Sequence, residues 1–310
     1  DGIQQINEFE IAPFAEQAEY VRITVLTNDF IATNNVTFNQ SFNLDPRRSL
    51  KNKEAFFGRW SDHCSVRILR KNLQNSGVSI WSPFTLNVAD SALVSISAQL
   101  RNVLYFNRSN PKYDLQYEWN DFRNRFVLTT GYESKQLFRH ILRSRMNFHQ
   151  EFSGLLSLIS ELNNQDSENF DNKDFKIQSY EIQPELNWQP STSFRLTTKY
   201  RYADKQNQLN EGKDRASIHD LKSEATISKV STSSLRGSLS LVLIEYQGPR
   251  NGSLEFAMLN GLKNGTNWIW GIGFDRRLAN NIRLNLSYDG RKSGSARVVH
   301  TARAQVSAFF

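Results

Sequence analysis

The feature that most constrains this chain is the alternation of apolar and polar residues along many of its segments. The stretch IRLNLSYD at 282–289 puts apolar or aromatic side chains at every second position and charged or polar ones between them. Successive side chains of a β-strand point to opposite faces, so a period of two predicts a strand with one apolar and one polar face. This period dominates from about residue 30 onward, so the sequence predicts an all-β protein.

Alternation also occurs in soluble antiparallel sheets, and three features favour a sheet that spans a membrane. The polar positions often carry full charges, aromatic residues recur at the ends of the apolar stripes, and short and long connections alternate. The chain is only 39% hydrophobic and has a mean hydropathy of −0.55. It contains no run of the roughly 18 apolar residues that a membrane-spanning helix needs.

The pattern predicts a sequence of strands with tight turns after most odd strands and longer loops after most even ones, such as 71–86, 121–136, 163–175 and 247–266. Thirteen strands are expected, at 30–44, 55–70, 92–106, 112–120, 137–148, 152–162, 176–188, 193–205, 216–229, 235–246, 267–278, 282–290 and 297–310. Bacterial barrels have even strand counts. We therefore expect either a missed strand, with residues 18–26 as the candidate, or a barrel that begins upstream.

The predicted fold class is a transmembrane antiparallel β-barrel of about 14 or more strands, formed by residues 30–310. Its tight turns would be periplasmic, its long loops extracellular and its C-terminus periplasmic. The barrel would contact the lipid of a bacterial outer membrane. Residues 1–29 would form a lead-in segment before it.

The polar positions of the predicted strands are rich in arginine. These side chains could favour anionic solutes in the barrel interior, or they could pair with carboxylates on neighbouring strands, and we favour the pairing. The expected carboxylates are Glu181, Glu185, Glu224 and Asp289. The arginines expected to face the lumen are Arg139, Arg143, Arg145, Arg195, Arg201, Arg283 and Arg303.

The first ten residues, DGIQQINEFE, match the second half of an EF-hand-type calcium loop. Such a loop has an acidic ligand at position five, glycine at six, a backbone carbonyl at seven and a glutamate at twelve. Those positions correspond to Asp1, Gly2, Ile3 and Glu8, so Ca²⁺ is an expected ligand of Asp1, Ile3 and Glu8. The alternative is a plain turn, because Asp-Gly is a common turn dipeptide.

Three segments together resemble a family of large outer-membrane proteins from Bacteroidota. They are DGIQQINEFE at the start, RNVLYFNRSNPKYDLQY at 101–117 and YDGRKSGSARVVHTARAQVSAFF at 288–310. The resemblance implies a long N-terminal region, a D-x-N-x-DG-type loop and a C-terminal barrel that ends in an aromatic pair. Ala302 and Arg303 stand where the family pattern has two glycines. The resemblance implies a fold and a location but no activity.

The last strand ends in Phe310, with Ala308 and Val306 at the preceding alternate positions. This ending looks like the signal that the barrel assembly machinery reads, so these three residues are expected to act in biogenesis. The alternative is a simple anchor at the membrane interface.

No catalytic motif stands out. The five histidines form no H-E-x-x-H or H-x-x-E-H spacing, and neither a G-x-S-x-G elbow nor a Walker-type loop is present. Cys64 is the single cysteine, which excludes an internal disulfide framework. The net charge is +7, but the cations are spread through the strands, so we expect no binding of nucleic acid.

The expected function is therefore non-enzymatic. We expect a barrel subunit with a structural or interaction role in a multiprotein envelope assembly, in protein secretion or outer-membrane biogenesis, with other envelope proteins as partners. The alternative is an autonomous pore or gated channel for solutes or polypeptide. An outer-membrane enzyme is the third hypothesis.

Overall fold

A computed structural model describes residues 30, 32–48, 50, 55–74, 84, 86–87, 92–108, 110–128, 131–209, 213–229, 232–279 and 281–308. In this described part of the chain, thirteen strands form one sheet in which each strand pairs antiparallel with its neighbours in sequence. The strands are β1 (Thr33–Leu44), β2 (Trp60–Leu73), β3 (Leu93–Phe106), β4 (Tyr113–Leu128), β5 (Gly131–Asn147), β6 (Phe152–Ser167), β7 (Phe175–Ser191), β8 (Phe194–Asn207), β9 (Arg215–Lys229), β10 (Ser233–Gln247), β11 (Gly265–Ala279), β12 (Ile282–Ser293) and β13 (Val299–Ala308).

The register of the sheet keeps one set of side chains on each side. Among the described strands, shifts in pairing occur near strand ends, at 71/72, 188/191 and 277/279. Because a one-residue slip would exchange the two faces, the regular register keeps the apolar positions of neighbouring strands together. We call the side that carries Leu186, Leu239 and Val306 the apolar face, and the opposite side the polar face.

The apolar face is exposed rather than buried. Leu186 is 48% exposed, Leu239 50% and Val306 64%. A contiguous exposed surface of this kind marks contact with lipid or another apolar partner. Aromatic rings border it: in β7 the apolar stripe begins at Tyr180 and ends at Trp188, and Trp188 contacts Phe194 with ring centroids 5.6 Å apart. This pattern matches the interfacial aromatic girdles of membrane barrels.

The predicted strands are confirmed, but the loop predicted at 121–136 is wrong. Strands β4 and β5 continue through this segment and are joined by residues 129–130. The reason is that Asp121, Arg123 and Arg125 lie on the apolar face, where they break the alternation. Asp121 and Arg123 pair with each other, with their closest atoms 2.8 Å apart. The predicted loop 163–175 is also shorter, because β6 extends to Ser167.

Tight turns join β5 to β6, β7 to β8, β9 to β10 and β11 to β12, and the β3–β4 turn lies at the same end of the sheet. We call this end the short-turn rim. At the opposite end, the connections 74–92 and 248–264 are long. Phe84, in the first of these connections, contacts Phe38 on the apolar face, with ring centroids 5.4 Å apart. Below it lies a buried cluster of Ile68, Leu93, Ile96 and Ala98.

Within the described residues, β1 pairs only with β2 and β13 only with β12. The candidate strand at 18–26 lies outside those residues. In the part of the chain that the structure describes, no helix is long and apolar enough to cross a membrane.

Candidate functional site

The connection between β10 and β11 folds over the polar face. It contains the single α-helix of the described ranges, α1 (Ser253–Leu259). Leu254, Met258 and Leu259 are buried against the inner ends of β7 to β10. They pack against apolar side chains that lie on the otherwise polar face, near the end of the sheet with the long loops. These are Phe175, Ile177, Ala203, Ala216, Ile218, Val242, Ile244 and Tyr246. The helix therefore lies inside the curve of the sheet at one end.

Hydrogen bonds fix this connection to the wall. The Ser253 hydroxyl donates to the backbone carbonyl of Asn172 over 3.1 Å. The ammonium of Lys205 donates to the side-chain oxygen of Asn260, the residue that ends the helix in a left-handed conformation, over 3.3 Å. The Tyr246 hydroxyl donates to the Pro249 carbonyl over 2.9 Å. Phe256, on the other side of α1, is 71% exposed. The helix is thus fixed to the wall on one side, and Phe256 is exposed on the other.

Farther from α1, the polar face is a network of charges. Glu118 is almost buried and accepts hydrogen bonds from Arg101 (2.7 Å) and Arg143 (2.6 Å). Because three strands contribute to this group, it ties β3, β4 and β5 together. Two arginines on one carboxylate leave an excess of positive charge at the surface of the wall.

All the arginines predicted to face the lumen lie on the polar face. Most have a carboxylate partner, but the partners differ from the expected ones. Arg139 pairs with Glu161, Arg143 with Glu118, Arg145 with Asp114, Arg201 with Asp220 and Arg283 with Asp275. Of the expected carboxylates, Glu224 forms ion pairs, with Lys222 and Arg236.

Two predicted arginines differ from the rest. Arg195 donates to the side-chain oxygen of Gln189 over 3.1 Å. Arg303 faces Ser287 across the β12–β13 pair and has no ion pair among the described residues. The ion-pair partners differ from the expected ones for a geometric reason. The stagger between strands decides which carboxylate lies opposite each arginine, and the sequence does not reveal that stagger.

The sequence analysis missed three pairs of tyrosine and histidine on the apolar face. The hydroxyl of Tyr117 lies 2.8 Å from Nδ1 of His140, that of Tyr200 lies 2.7 Å from Nδ1 of His219, and that of Tyr288 lies 2.8 Å from Nδ1 of His300. Each tyrosine is on an even strand, each histidine is on the next strand, and the pairs recur every four strands. The sequence signal was present, since all three histidines occupy apolar positions of the alternation.

The proposed calcium ligands Asp1, Ile3 and Glu8 lie outside the described residues, as does Phe310. Val306 and Ala308 lie on the apolar face of β13. In the described ranges, no group of three or more His, Cys, Asp or Glu side chains is arranged to hold a metal ion.

No protein-family model and no curated protein sequence matches the chain. Solved structures do match. The ferric-catecholate import receptor Fiu from E. coli K12 superposes with a TM-score of 0.50 at 8% identity, over 90% of this chain and 57% of the receptor. The siderophore receptor PirA from Pseudomonas aeruginosa superposes with a TM-score of 0.49 at 11% identity, over 75% of this chain and 38% of the receptor.

A third match is the outer membrane channel DcaP of Acinetobacter baumannii, with a TM-score of 0.45 at 8% identity over 79% of each chain. This chain matches less than two thirds of the length of either receptor, Fiu or PirA. Together with the exposed apolar face and the polar interior, the likeness to Fiu defines the fold. The chain is a transmembrane antiparallel β-barrel of the outer-membrane type.

Proposed function

We propose that this barrel resides in a bacterial outer membrane and provides a water-filled path for polar solutes that α1 restricts. The observation that supports the proposal most directly is the packing of Leu254, Met258 and Leu259 against the interior wall. A sheet of 13 strands is too wide for its own side chains to fill when it closes. The space on its polar face must therefore hold water, folded-in segments or both.

The charges of the polar face favour anionic solutes. On the polar face of the described strands, the cations that form no ion pair outnumber the carboxylates that form none. Those carboxylates are Glu181, Glu185 and Asp289. These cations are Arg67, Lys71, Lys135, Arg195, Lys199, Lys205, Arg277, Arg291 and Arg303. Fixed charges of one sign along a pore raise the local concentration of the opposite ion. We infer that chloride and small carboxylates pass more readily than cations of equal size.

The test is the conductance of the purified full chain in a planar lipid bilayer. Met258→Asp places a charge in the contact between α1 and the wall and should release the helix, so larger or more frequent current steps are expected. Phe256→Asp is the matched control, because it adds the same charge to the exposed side of the helix. A reversal potential that favours chloride over potassium is also expected.

An absence of current steps from both the unaltered chain and Met258→Asp would rule out the water-filled path. Equal currents from those two proteins would show that α1 does not restrict it. A preference for potassium would contradict the proposed anion selectivity.

A second proposal is that the barrel is a non-enzymatic subunit of an envelope assembly. The observation that favours it is that β1 and β13 each have one strand neighbour among the described residues. Unpaired backbone groups on an edge strand are a template for another strand. Purification from native membranes in mild detergent tests this proposal: stoichiometric partner proteins are expected, and a barrel that purifies alone would contradict it.

The predicted orientation remains part of the proposal: the short-turn rim and the C-terminus are periplasmic, and Phe310, Ala308 and Val306 are read by the assembly machinery. We also propose that the N-terminal segment forms a calcium-binding loop and that the protein is of the type of the large outer-membrane proteins of Bacteroidota. Chelation and Glu8→Ala should each lower the protease resistance of the N-terminal region. If neither has this effect, the segment is a plain turn.

A further inference from the structure

An open pocket of about 390 Å³ lies at the short-turn rim, where the β1–β2 connection meets the β3–β4 turn. Its charged lining consists of four arginines and two aspartates: Arg47, Arg48, Arg59, Arg108, Asp45 and Asp62. The pocket is separate from the interior site near α1, which is at the opposite end of the strands. Its net charge is positive, so its ligand is expected to be anionic.

The two carboxylates of the pocket already have partners. Asp45 lies 3.3 Å from the Nε atom of Arg48. Asp62 accepts a hydrogen bond from the side-chain amide of Asn102 over 2.8 Å. The Arg48 side chain is still 86% exposed. The exposed guanidinium of Arg108 lies 4.5 Å from the centre of the Tyr105 ring. At least two guanidinium groups can therefore turn toward a ligand without breaking a buried contact.

Asn107 adds a donor to this lining. The residue is 7% exposed and has a left-handed backbone with φ of 58°. Its backbone N–H donates to the carbonyl of Arg59 over 2.8 Å, which joins the two connections. Its side-chain amide nitrogen has no hydrogen-bond partner in the part of the chain that the structure describes. A buried donor left unpaired is destabilising, and a small shift toward an anionic oxygen would give it a partner.

An aromatic cluster borders the pocket on the apolar face. The ring of Trp60, which also lines the pocket, lies 5.0 Å from Phe106 and 6.1 Å from Phe56, measured between centroids. Phe56 is 61% exposed and Phe57 is 73% exposed. Aromatic side chains of membrane proteins collect where hydrocarbon meets headgroups. The cations and the aromatic rings therefore share one boundary, with the charge on the aqueous side.

We propose that this pocket binds the phosphate group of a glycerophospholipid whose acyl chains lie against Phe56, Trp60 and Phe106. Guanidinium groups suit phosphate because their donors form a planar fork that matches two of its oxygens. A soluble phosphate would use the arginines but would gain nothing from the exposed rings. The combination of both surfaces favours the lipid. The inference does not depend on the proposed path for solutes.

The test is native mass spectrometry of the full chain in detergent, titrated with dioleoyl phosphatidylglycerol. The variants are the pair Arg48→Gln and Arg108→Gln together, and Phe56→Ala alone. Arg291→Gln is the control, because that residue is an arginine of the polar face without an ion pair in the described ranges. The double variant should bind the lipid about tenfold more weakly, as expected for lost charge-assisted hydrogen bonds. Phe56→Ala should weaken binding severalfold, and the control should not change it.

Three results would overturn the proposal. One is unchanged lipid binding by the double variant. Another is equal binding of dioleoylglycerol, which lacks the phosphate. The third is displacement of the lipid by inorganic phosphate at similar concentration with no effect of Phe56→Ala, which would identify a site for a soluble anion. The comparisons with Phe56→Ala, dioleoylglycerol and phosphate use folded protein even if the double variant fails to assemble.

Discussion

The guanidinium of Arg143 donates to the carboxylate of Glu118 over 2.6 Å, across the β4–β5 pair. Arg101, on β3, donates to the same carboxylate, so one nearly buried carboxylate pairs with two arginines. Replacing Glu118 with leucine leaves both arginines without this partner. We expect the free energy of unfolding in urea to fall by about 1–3 kcal/mol. Glu224→Leu removes a more exposed carboxylate and should cost under about 1 kcal/mol. Equal effects of the two variants would contradict this account of the network.

Gly290 lies beneath the indole of Trp270 on the apolar face, and a Cβ atom at this position would overlap the ring. Gly290→Ala should force Trp270 away and destabilise the barrel by about 1–3 kcal/mol, the usual cost of overpacking. Gly237→Ala is the matched control on the same face, since nothing lies within 4 Å of a Cβ there. Urea unfolding and tryptophan fluorescence measure both variants. An unshifted fluorescence spectrum for Gly290→Ala would argue against the contact.

Burial raises the pKa of the Asp174 carboxyl, in the connection between β6 and β7, and the nearby Asp166 and Asp171 act in the same direction. A pKa that is higher in the folded than in the unfolded state means that folding favours the protonated form. Stability should therefore fall as the pH rises from about 4, the usual value for aspartate, through the higher folded value. Asp174→Asn should remove this fall while still accepting the Ser167 N–H bond. Parallel stability–pH curves for the two proteins would refute the assignment.

The Tyr200 hydroxyl bonds to His219, whereas Tyr202 contacts the same ring, with centroids 4.9 Å apart, without such a bond in the described part of the chain. Tyr200→Phe should lower stability by about 0.6 kcal/mol, a typical value for a side-chain hydrogen bond in a membrane protein. Tyr202→Phe keeps the ring contact and should change stability less. The reverse order of effects would show that the hydrogen bond contributes little.

The strands were predictable because lipid on one side and water on the other impose a strict period of two. The prediction failed between residues 121 and 136, where Asp121, Arg123 and Arg125 bring charge to the apolar face. Charged side chains on the apolar face at the end of a strand break the alternation of apolar and polar residues, although Asp121 and Arg123 neutralise each other within the strand. A period-based analysis therefore interprets such a strand end as a loop.

The interior site was less predictable than the sheet. The seven-residue helix α1 is too short to be stable alone, and its contacts with Ile218 and Val242 come from distant strands. The ion pairs depend on register in the same way: Arg139 meets Glu161 because those residues are opposite each other in the β5–β6 pair. The local sequence shows on which face of the sheet each side chain lies. It does not show which residue of the adjacent strand lies opposite.

The most direct test of the central claim, that the apolar face meets lipid and the polar face lines a water-filled interior, uses neighbouring residues of β12. In a Cys64→Ser background, Leu286→Cys and Ser287→Cys would each carry one fluorophore in protein reconstituted into vesicles. We predict that a nitroxide-labelled lipid quenches the fluorophore at 286 and that aqueous iodide quenches the one at 287. Equal quenching of both positions by either reagent would contradict the assignment of the two faces.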